Sequence, residues 1–480
     1  MEPSTPSCPR CRVLEVLIVD LEEKIGELAQ ACESQQRAIE ELKARLGKSS
    51  RNSSKPPSTD LPGQKKKKKR RKRRSGRRPG GQPGHPGTNR DLIPSEQADE
   101  IVEHFPEQCE HCGGGLPETP SDDPLRKQVW EIPPITPYVT EHRLNVVTCP
   151  GCGTHNVAAF GPEVPRGSFG ARAEATCAYL GAGFRLSVRE RQRLFEDLFG
   201  LKMSTGTVKT IDNRVSVNVA AVYEEACTWL RQAAVAHADE TSWPLGGQRG
   251  WLWVAVTEVV TVFQVDPARS AAAFRNLFGP DFPGILITDR LASYDGHPED
   301  DRQLCWAHLE RQFQGFADHS AAEVQGFGRC GLSITERLFR AWGTYRDEHH
   351  DRSRLQRDIQ PLRGDLAALL ITGALTGVKG IAGFSENLIQ RAGGLWTFAE
   401  VNGVEPTNNN AERALRPAVL WRKGSFGSRS ERGCRFVERL LTVIATLRSQ
   451  GRDVLAFLAE ACAAPLRGLD PPSLVPSTDS

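Results

Sequence analysis

Residues 233–243 read AAVAHADETSW, and they begin the part of the chain whose pattern decides the fold. Residues 250–266, GWLWVAVTEVVTVFQVD, add two more apolar segments of β type. A helical ARSAAAFRNLFG and a fourth short strand in GILITDRLASYDG follow. Strands mixed with helices in this order predict an α/β fold built on a sheet. Two of the strands terminate in aspartates, Asp239 and Asp289.

Together with a third acidic residue close in space, these two aspartates would form a cation site. Carboxylates at the ends of adjacent strands, with another arriving on a helix, make an oxygen-rich pocket for hard divalent cations. Glu412, in NNNAERALRPAVLWRKGSFGS over residues 408–428, is the third candidate. Each acid has an ordinary alternative, because Asp289 suits a cap or turn and Glu412 suits the positive end of its own helix. The order strand Asp, strand Asp, helix Glu is much harder to obtain by accident.

Two further side chains lie near this set in the sequence. Glu240 follows Asp239 directly, but strand alternation sends the two side chains to opposite faces, so only one should reach a shared site. In CWAHLERQF, residues 305–313, Cys305 and His308 share one helical face. We expect Cys305 to pack in the core and His308 to point toward the acids.

The thirteen cysteines include three C-x-x-C pairs. In a reducing cytosol this spacing indicates metal or redox chemistry more often than disulfides. Two of the pairs are separated by 36 residues that contain the strand-like RKQVWEI and YVTEHRLNVV. They predict a zinc ribbon with a closed, structural four-thiolate site, and the alternative is two unrelated pairs of free thiols. The predicted zinc ligands are Cys109, Cys112, Cys149 and Cys152.

Apolar residues recur at the 3.5-residue period from Leu14 to Leu46, with Gln35 on the same seam. This predicts a coiled coil, and therefore a homo-oligomer that is most simply a dimer. A single amphipathic helix packed on its own chain is the alternative. The third cysteine pair, Cys8 and Cys11, would form a zinc site between two subunits or stay an unliganded reduced pair.

Residues 48–90 are rich in Ser, Pro, Gly and Lys, with almost nothing to bury, which predicts a disordered basic linker. The formal net charge is +3, from 62 basic and 59 acidic residues. Residues 65–78 alone hold twelve basic residues, which leaves the remainder at −9. Because the positive charge is concentrated in one segment, we expect this segment to bind a polyanion without sequence specificity. The alternative is a tail that only increases solubility. The unbroken cationic run is Lys65, Lys66, Lys67, Lys68, Lys69, Arg70, Arg71, Lys72, Arg73 and Arg74.

Residues 187–215 predict a helix, a break at Gly200 and a second helix that Ser204 can cap. This is the outline of a helix-turn-helix, with Thr207 and Lys209 near the start of the second helix. Ordinary helical hairpins give the same pattern.

Residues 310–400 are mostly helical in pattern, and they account for most of the 123 positions between Asp289 and Glu412. We therefore predict an α-helical insertion in the α/β domain. Its aromatics Trp396 and Phe398 would either contact DNA or lie in the core. No run of 18 or more apolar residues and no signal-type N-terminus is present, which favours a soluble cytoplasmic protein without membrane contact.

These blocks resemble the transposases of bacterial insertion sequences in the insertion sequence 66 group, which are DDE enzymes on a ribonuclease H-like fold. The resemblance covers nearly the whole chain. NSSKPPSTD, GGQPGHPG, the two zinc knuckles, HADETSW, ITDRLASYDG, CWAHLERQF and NNNAERALRPAVLWRKGSFGS occur in that family's order. One departure is Arg290, where a small residue such as glycine is expected and where a long side chain would crowd the second aspartate.

The resemblance implies that Asp239, Asp289 and Glu412 form a catalytic triad that binds two Mg²⁺ ions, or Mn²⁺, with Glu240 as a neighbour. It implies hydrolysis at the end of the element, followed by attack of the freed 3′-hydroxyl on target DNA. The implied partners are the terminal inverted repeats, target DNA and small accessory proteins of the same element, with the protein nucleoid-associated when bound to DNA. The residues implied to hold DNA phosphates are Arg416, Arg422 and Lys423.

Two rival functions remain open at this point. A ribonuclease H-like nuclease or resolvase would share the metal site without needing the long basic arm. A catalytically inactive, transposase-derived DNA-binding protein would keep the zinc ribbon and helix-turn-helix, although the presence of all three acids argues against it.

The predicted fold class is multidomain α/β. It has a ribonuclease H-like catalytic core with an α-helical insertion, preceded by a coiled coil, a basic disordered linker, a zinc ribbon and a helix-turn-helix-like region. The predicted boundaries are 1–47 for the C-x-x-C pair and coiled coil, 48–100 for the linker, 101–160 for the zinc ribbon, 165–228 for the helix-turn-helix-like region, 229–309 and 401–465 for the two parts of the catalytic domain, 310–400 for the insertion and 466–480 for a disordered tail.

Overall fold

The computed structural model describes residues 9–46, 48–49, 51–52, 91–347 and 351–476, and in the first helix it describes the side chains of residues 17–36 and 39. Cys8, the side chain of Cys11 and the basic run at residues 65–74 therefore lie outside the described residues. What the sequence predicts for them stays a prediction.

The chain divides into two compact units. The first contains the described residues of Met1–Pro62, Val139–Asp197 and Leu201–Ser480, and the second contains those of Gly63–Tyr138 and Leu198–Gly200. The strands are β1 (Val146–Thr148), β2 (His155–Val157), β3 (Val235–Ser242), β4 (Trp251–Val256), β5 (Thr261–Asp266), β6 (Ile285–Thr288) and β7 (Arg302–Leu304). The α-helices are α1 (Pro9–Leu46), α2 (Ala171–Phe184), α3 (Val188–Phe199), α4 (Thr205–Asn218), α5 (Ala220–Leu230), α6 (Ala271–Phe278), α7 (Trp306–Ala317), α8 (Ala322–Asp347), α9 (Arg352–Ala374), α10 (Lys379–Ile389), α11 (Thr397–Glu400), α12 (Asn409–Ser425), α13 (Glu431–Ser449) and α14 (Val454–Ala463).

A five-stranded sheet forms the centre of the first unit, in the order β5–β4–β3–β6–β7. β3, β4 and β5 pair in antiparallel fashion, while β6 and β7 extend the sheet in parallel from β3. The predicted α/β architecture, with helices and a sheet, is confirmed. The parallel pair β3 and β6 matters most, because each strand leads to one of the two aspartates.

The two faces of the sheet are covered by different helices. On one face, α12 contributes Ala411, Leu415 and Ala418 to a cluster that includes Trp243 and Val254. The other face packs against the segment around α6, where the rings of Tyr294 and Trp253 lie 5.9 Å apart. Side chains of β3 therefore meet α12 or the α6 segment according to their parity along the strand.

Helix α13 closes the outer edge of the sheet along β5. The Thr442 and Thr446 hydroxyls and the Glu438 carboxylate accept hydrogen bonds from the backbone N–H groups of Phe263, Thr261 and Val265, at 3.0, 3.0 and 2.8 Å respectively. These N–H groups would otherwise be free to pair with another strand. Side chains of α13 thus accept the hydrogen bonds that the carbonyls of a further strand would otherwise accept.

Helices α7 to α11 occupy most of the range predicted as an α-helical insertion. Their apolar cluster is continuous with the sheet, because it includes Ile287 of β6 and Leu304 of β7. Trp396 and Phe398 are 8% and 0% exposed. The alternative that these two aromatics contact DNA is wrong, since both rings are used in packing: Trp396 lies 5.0 Å from the Trp306 ring, tilted by 54°, and Phe398 lies 5.6 Å from Trp342.

Helix α1 is a single helix of 38 residues. Its described apolar seam faces solvent, with Leu21, Ile25 and Leu28 exposed by 55%, 65% and 66%. One chain alone therefore leaves the seam uncovered, and the coiled coil stays a prediction. Among the described helices, none has the combination of length and apolar character that crossing a membrane requires.

Residues 91–160 contain little regular structure. The predicted strand in RKQVWEI, residues 126–132, is wrong, and YVTEHRLNVV forms a strand only at its end, in β1. Val129 and Ile132 are 81% and 80% exposed. β-Branched residues favour strands only where a neighbouring strand and a packed face are available.

The break between α3 and α4 is confirmed. Gly200 adopts a positive φ of 64°, and Ser204 caps α4 by accepting a hydrogen bond from the Thr207 N–H at 3.0 Å. Lys209 is exposed, 3.7 Å from Asp212, whose carboxylate is bound by Arg191 of α3. Whether this helical pair binds DNA as a helix-turn-helix stays a prediction.

Candidate active site and zinc knuckles

Asp239 lies in β3, and Asp289 directly follows β6, its neighbour in the sheet. The site is therefore near the carboxyl end of β6. In the parallel pairing of β3 with β6, His237 is opposite Ile287. Continuing that register by two residues places Asp239 opposite Asp289, on chains that are about 4.8 Å apart in a sheet. The predicted juxtaposition of the two aspartates thus follows from backbone pairing.

Helix α12 reaches the same edge through Asn408. This residue is 1% exposed, and its amide nitrogen donates to the Ala238 carbonyl at 2.7 Å. Its side-chain oxygen faces Nδ1 of His237 at 3.3 Å. Glu412 lies one turn further on, with its N–H donating to the Asn408 carbonyl at 3.2 Å. His237 and Asp239 share one face of β3, so Glu412 approaches the face that carries Asp239.

Cys305 joins the remaining segments. Its N–H donates to the carbonyl of Thr288, next to Asp289, at 2.8 Å, and its sulfur accepts the Asn408 N–H at 3.1 Å. The residue is 1% exposed, and burial raises the pKa of its thiol to about 11. A protonated thiol is a poor ligand for Mg²⁺, which prefers oxygen. Cys305 therefore acts as a connector between β6, α7 and α12, in the core as expected.

The electrostatics of the site centre on Asp239. Burial raises the pKa of its carboxyl well above the usual value, and the charges of Glu240, Asp289 and Glu412 raise it further. A neighbouring negative charge raises the pKa of a carboxyl because it disfavours the ionised form. Without a counter-charge this crowding is unfavourable, and a divalent cation is the natural remedy.

Glu240 points to the opposite face of β3, as strand alternation predicted. Its carboxylate is bound by the Arg269 guanidinium, at 2.9 Å from Nε, and by the Tyr294 hydroxyl at 2.5 Å. Burial, followed by the charge of Asp289, raises the pKa of Glu240 in spite of these partners. Glu240 is thus a buried anchor behind Asp239.

His308 and Arg311 of α7 flank Glu412. His308 Nδ1 lies 3.6 Å from Glu412 Oε1, and Arg311 donates to the same oxygen at 3.3 Å. Ligand atoms of Cys305, His308 and Glu412 all lie within 4.8 Å of one another. Burial, and then the charge of Arg311, lowers the pKa of His308. A neutral His308 has its Nδ1 without a hydrogen bond from the described residues, and it points toward the acids as expected.

Arg290 does not crowd Asp289, contrary to the expectation from its size. Its guanidinium donates to Asn387 Oδ1 at 2.7 Å and to Gln312, and it lies 5.0 Å from the centre of the Phe384 ring. The side chain is therefore directed at the helices of residues 306–400. The Asp289 carboxylate accepts a hydrogen bond from the Leu291 N–H at 2.9 Å. Asp289 therefore stabilises the turn after β6, as the alternative interpretation of this residue predicted.

The three predicted phosphate contacts differ in their surroundings. Arg416 and Lys423 are exposed on α12. Arg422 instead donates to Thr241 Oγ1 at 2.9 Å and to the backbone and hydroxyl oxygens of Ser242 at 2.5 Å. It fixes α12 to the end of β3, which leaves Arg416 and Lys423 better placed for solvent-borne phosphates.

Sequence reasoning missed Arg311 and Asn408. A signal for Arg311 was available, because it follows His308 by three residues in CWAHLERQF and so shares its helical face. Asn408 gave no such signal, since its role depends on contacts with Ala238 and Cys305, which are far away in sequence.

Each cysteine knuckle forms the same tight turn. The N–H of the first cysteine donates to the carbonyl five residues later at 2.8 Å, and a glycine four residues later donates back to the cysteine carbonyl. Those glycines, Gly113 and Gly153, adopt positive φ values of 72° and 75°. Hydrogen bonds from the Cys112 backbone lower the pKa of Cys109, and hydrogen bonds with Thr154 lower the pKa of Cys152. Thiols with lowered pKa values suit zinc, which binds thiolates.

The fold and the sites define an α/β protein with clustered carboxylates at a sheet edge and cysteine knuckles, a combination suited to DNA processing. A family model described as "Transposase IS66 family" matches residues 166–435, more than half of the chain, and the chain belongs to that family. A model described as the "zinc-finger binding domain of transposase IS66" matches residues 106–153. That match spans both knuckles and supports a structural zinc. A "Family of unknown function (DUF6444)" matches residues 2–91.

Two curated relatives come from Sinorhizobium fredii (strain NBRC 101917 / NGR234). Uncharacterized protein y4qI is 24% identical over 265 residues, which are 48% of this chain and 48% of the relative. Uncharacterized protein y4hP is 23% identical over 405 residues, 76% of this chain and 72% of the relative. The chain thus spans about half the length of the first relative, and neither name states an activity.

Proposed function

We propose that the protein is a DDE transposase that cleaves the 3′ ends of an insertion sequence and joins them to target DNA. The proposal is supported by three features that would bring the predicted acids, from distant parts of the chain, into one region. β3–β6 register aligns Asp239 with Asp289, Asn408 brings α12 onto the same edge, and the charge of Glu412 reaches Asp239. The sheet order, with three antiparallel strands followed by two parallel ones, supports a ribonuclease H-like core.

The donor set fits hard divalent cations. Asp239, Asp289 and Glu412 would offer carboxylate oxygens, and a bound cation would offset the negative charges that raise the pKa of Asp239. Two Mg²⁺ ions, or Mn²⁺ ions, would supply activation of the attacking oxygen and stabilisation of the leaving oxygen. Arg311 of α7 donates to the Glu412 carboxylate and helps to keep it in place, with His308 beside it.

The basic side chains have separate roles in DNA binding and in packing. Arg416 and Lys423 hold phosphates near Glu412, while Arg422 keeps α12 docked on β3. The basic run at residues 65–74 supplies sequence-independent affinity, and Thr207 and Lys209 contact the terminal repeats from α4. The location that follows is the cytoplasm, on the nucleoid when DNA is bound, with small accessory proteins of the element as further partners.

The test uses a duplex that carries the terminal inverted repeat flanking the coding region, with Mg²⁺ and a target plasmid. The parent should cleave the repeat and join its 3′ end to the plasmid, and Asp239→Ala should do neither. Glu258→Gln is the matched control, because Glu258 is exposed in the β4–β5 connection, beyond the start of β3 at the opposite edge of the sheet. Unchanged joining by Asp239→Ala would show that the site is assigned wrongly.

The same assay separates the two rivals. A nuclease or resolvase would cut without joining the 3′ end to the target plasmid. A transposase-derived binding protein would shift the repeat duplex in a gel without cutting it, and Asp239→Ala would bind equally well.

We also infer that α1 pairs with a second copy of this chain in a parallel coiled coil. The occupant must be apolar and helical, since the exposed seam of Leu21, Ile25 and Leu28 keeps the 3.5-residue period. Replacing Ile25 with Asp should convert dimers to monomers in sedimentation equilibrium. Glu23→Gln, outside the seam, should stay dimeric, and a monomeric parent would refute the coiled coil.

A further inference from the structure

The loop between α12 and α13 holds a phenylalanine in an unusual conformation. Phe426 ends α12 with a φ of 59°, in the left-handed region, and its N–H donates to the Arg422 carbonyl at 2.8 Å. Its side chain is 82% exposed. A bulky residue at positive φ is an outlier, because its Cβ crowds the neighbouring carbonyl.

Folding does not account for this residue. A helix that ends in the left-handed conformation normally has Gly or Asn at that position, since neither is penalised as strongly. The Phe426 ring gains little from burial, because most of it faces solvent. A residue that is strained locally and unused in the core is a candidate for function.

The residues after Phe426 are fixed to the β3–β4 connection. A Cβ on Gly427 would lie 2.2 Å from the Pro244 carbonyl oxygen, so only glycine fits there. The Ser428 N–H donates to the same oxygen at 3.0 Å, and the Ser428 carbonyl accepts from Gly246 at 2.8 Å. The Trp243 indole N–H donates to the Ser428 hydroxyl at 3.1 Å.

The residues before Phe426 are fixed as well, through Arg422. Its guanidinium binds Thr241 and Ser242 at the end of β3. Phe426 therefore lies between two anchored points, so that its ring is presented to solvent with little freedom of the backbone. An aromatic ring presented in this way loses little entropy on binding.

The residues that flank Phe426 in the sequence are mainly cationic. Residues 422–435 contain five basic residues and one acidic residue. Lys423, Arg429 and Arg432 are exposed, and none of the three forms an ion pair with a residue that the structure describes. An exposed aromatic among free cations complements nucleic acid, in which flat bases alternate with phosphates.

We propose that Phe426 stacks on an unpaired nucleobase of the DNA substrate while Lys423, Arg429 and Arg432 hold the flanking phosphates. The inference rests on the proposed function, since only an enzyme that processes DNA ends meets such a base. Stacking requires no particular base, because every base has a π-face. The contact therefore favours frayed or single-stranded ends over blunt duplex.

The test compares two probes of the same terminal-repeat sequence, a blunt duplex and a duplex with a short single-stranded overhang containing 2-aminopurine. Phe426→Ala should bind the overhang probe about tenfold more weakly, with blunt-duplex affinity within about twofold of the parent. Phe426→Trp should retain affinity and quench 2-aminopurine fluorescence as the parent does. Leu375→Ala is the control, because Leu375 is 83% exposed at the end of α9 and equally apolar.

Phe426→Gly distinguishes function from folding. It should raise the melting temperature by about 2 °C, because the backbone strain is relieved, and yet lose overhang binding as Phe426→Ala does. If the parent binds overhang DNA and Phe426→Ala matches it, the inference is overturned and the proposed function stands. If the parent binds neither probe, both fall. Loss of self-association in Phe426→Ala, with DNA affinity unchanged, would also overturn the inference, in favour of a protein contact.

Discussion

Two regions of this chain reach order by different means. In the junction, which we define as residues 238–240, 288–289, 305–308 and 408–412, hydrogen bonds link segments that are far apart in sequence. Asn408 and Cys305 are each 1% exposed there. In the finger, residues 91–160, the two short strands β1 and β2 are exposed at every position. The junction is held by burial, whereas the described strands of the finger bury none of their residues, so we expect its order to depend on the cysteines.

Removing zinc should give the largest loss of stability, and it should affect the finger but not the junction. In Cys149→Ser, we expect the finger to lose the stabilisation from its zinc, which is about 10 kcal/mol for structural sites. Hydrogen exchange should show loss of protection across residues 101–160, with the sheet unchanged, and a metal assay should show one zinc fewer per chain. Cys330→Ser, an exposed cysteine on α8, is the control. A finger that stays protected without metal would contradict the distinction.

Asp239→Asn should separate activity from stability at the junction. If the proposed function holds, cleavage of terminal-repeat DNA should fall about 1,000-fold or more, because Asp239 is the proposed ligand of both cations. The metal-free protein should melt at the same temperature or higher, because the substitution removes a charge whose pKa burial and neighbouring acids raise. Single-turnover kinetics and thermal unfolding measure the two effects. A large drop in melting temperature would indicate a structural role instead.

Asn408→Ala should show how far the junction depends on buried hydrogen bonds. The substitution leaves the Ala238 carbonyl and the His237 ring without their partner, at a cost of about 3 kcal/mol in the free energy of unfolding. Denaturant unfolding measures it. Asn409→Ala, one residue along and exposed, should change stability by less than about 0.5 kcal/mol. Equal effects of the two substitutions would contradict the role of Asn408.

Acid should loosen the junction through His237. The pKa of this imidazole is lowered from 6.5 to about 4, mainly by burial and also by the charge of Arg413, while the hydrogen bond with Asn408 opposes the shift. Nε2 lies 3.1 Å from the Asn410 amide nitrogen, so a neutral ring accepts and a protonated ring would present a second donor. For a lowered pKa, the contribution to stability is present above pH 6.5 and is lost as pH falls through about 4.

The expected loss over that window is about 3 kcal/mol, similar to the effect of Asn408→Ala. Unfolding of the parent and of His237→Gln should be compared at several pH values between 4 and 7. The difference between them should shrink as the pH falls, since the glutamine does not titrate. A difference that is constant with pH would show that His237 does not contribute.

The strands could be predicted because alternation is a local pattern, and Asp289 does follow the end of β6, whereas Asp239 lies inside β3 and does not terminate it as predicted. The direction of Glu240 followed for the same reason, since parity along a strand decides which face a side chain takes. The strand at residues 126–132 failed because its β-type residues have no partner strand, which no local pattern reveals. Trp396 and Phe398 gave no local sign of whether they pack or bind.

The sequence by itself determined the family and the cysteine knuckles, because both are encoded in residue types and short spacings, and it predicted the three acids of the proposed site. Only the tertiary structure showed that Asn408 and Cys305 link β3, β6 and α12 by hydrogen bonds. It also showed that Arg422 docks α12 on β3 and that Phe426 is exposed to solvent. The physical reason is that hydrogen bonds and burial between distant segments depend on how helices pack on the sheet, and spacing along the chain carries no record of that packing.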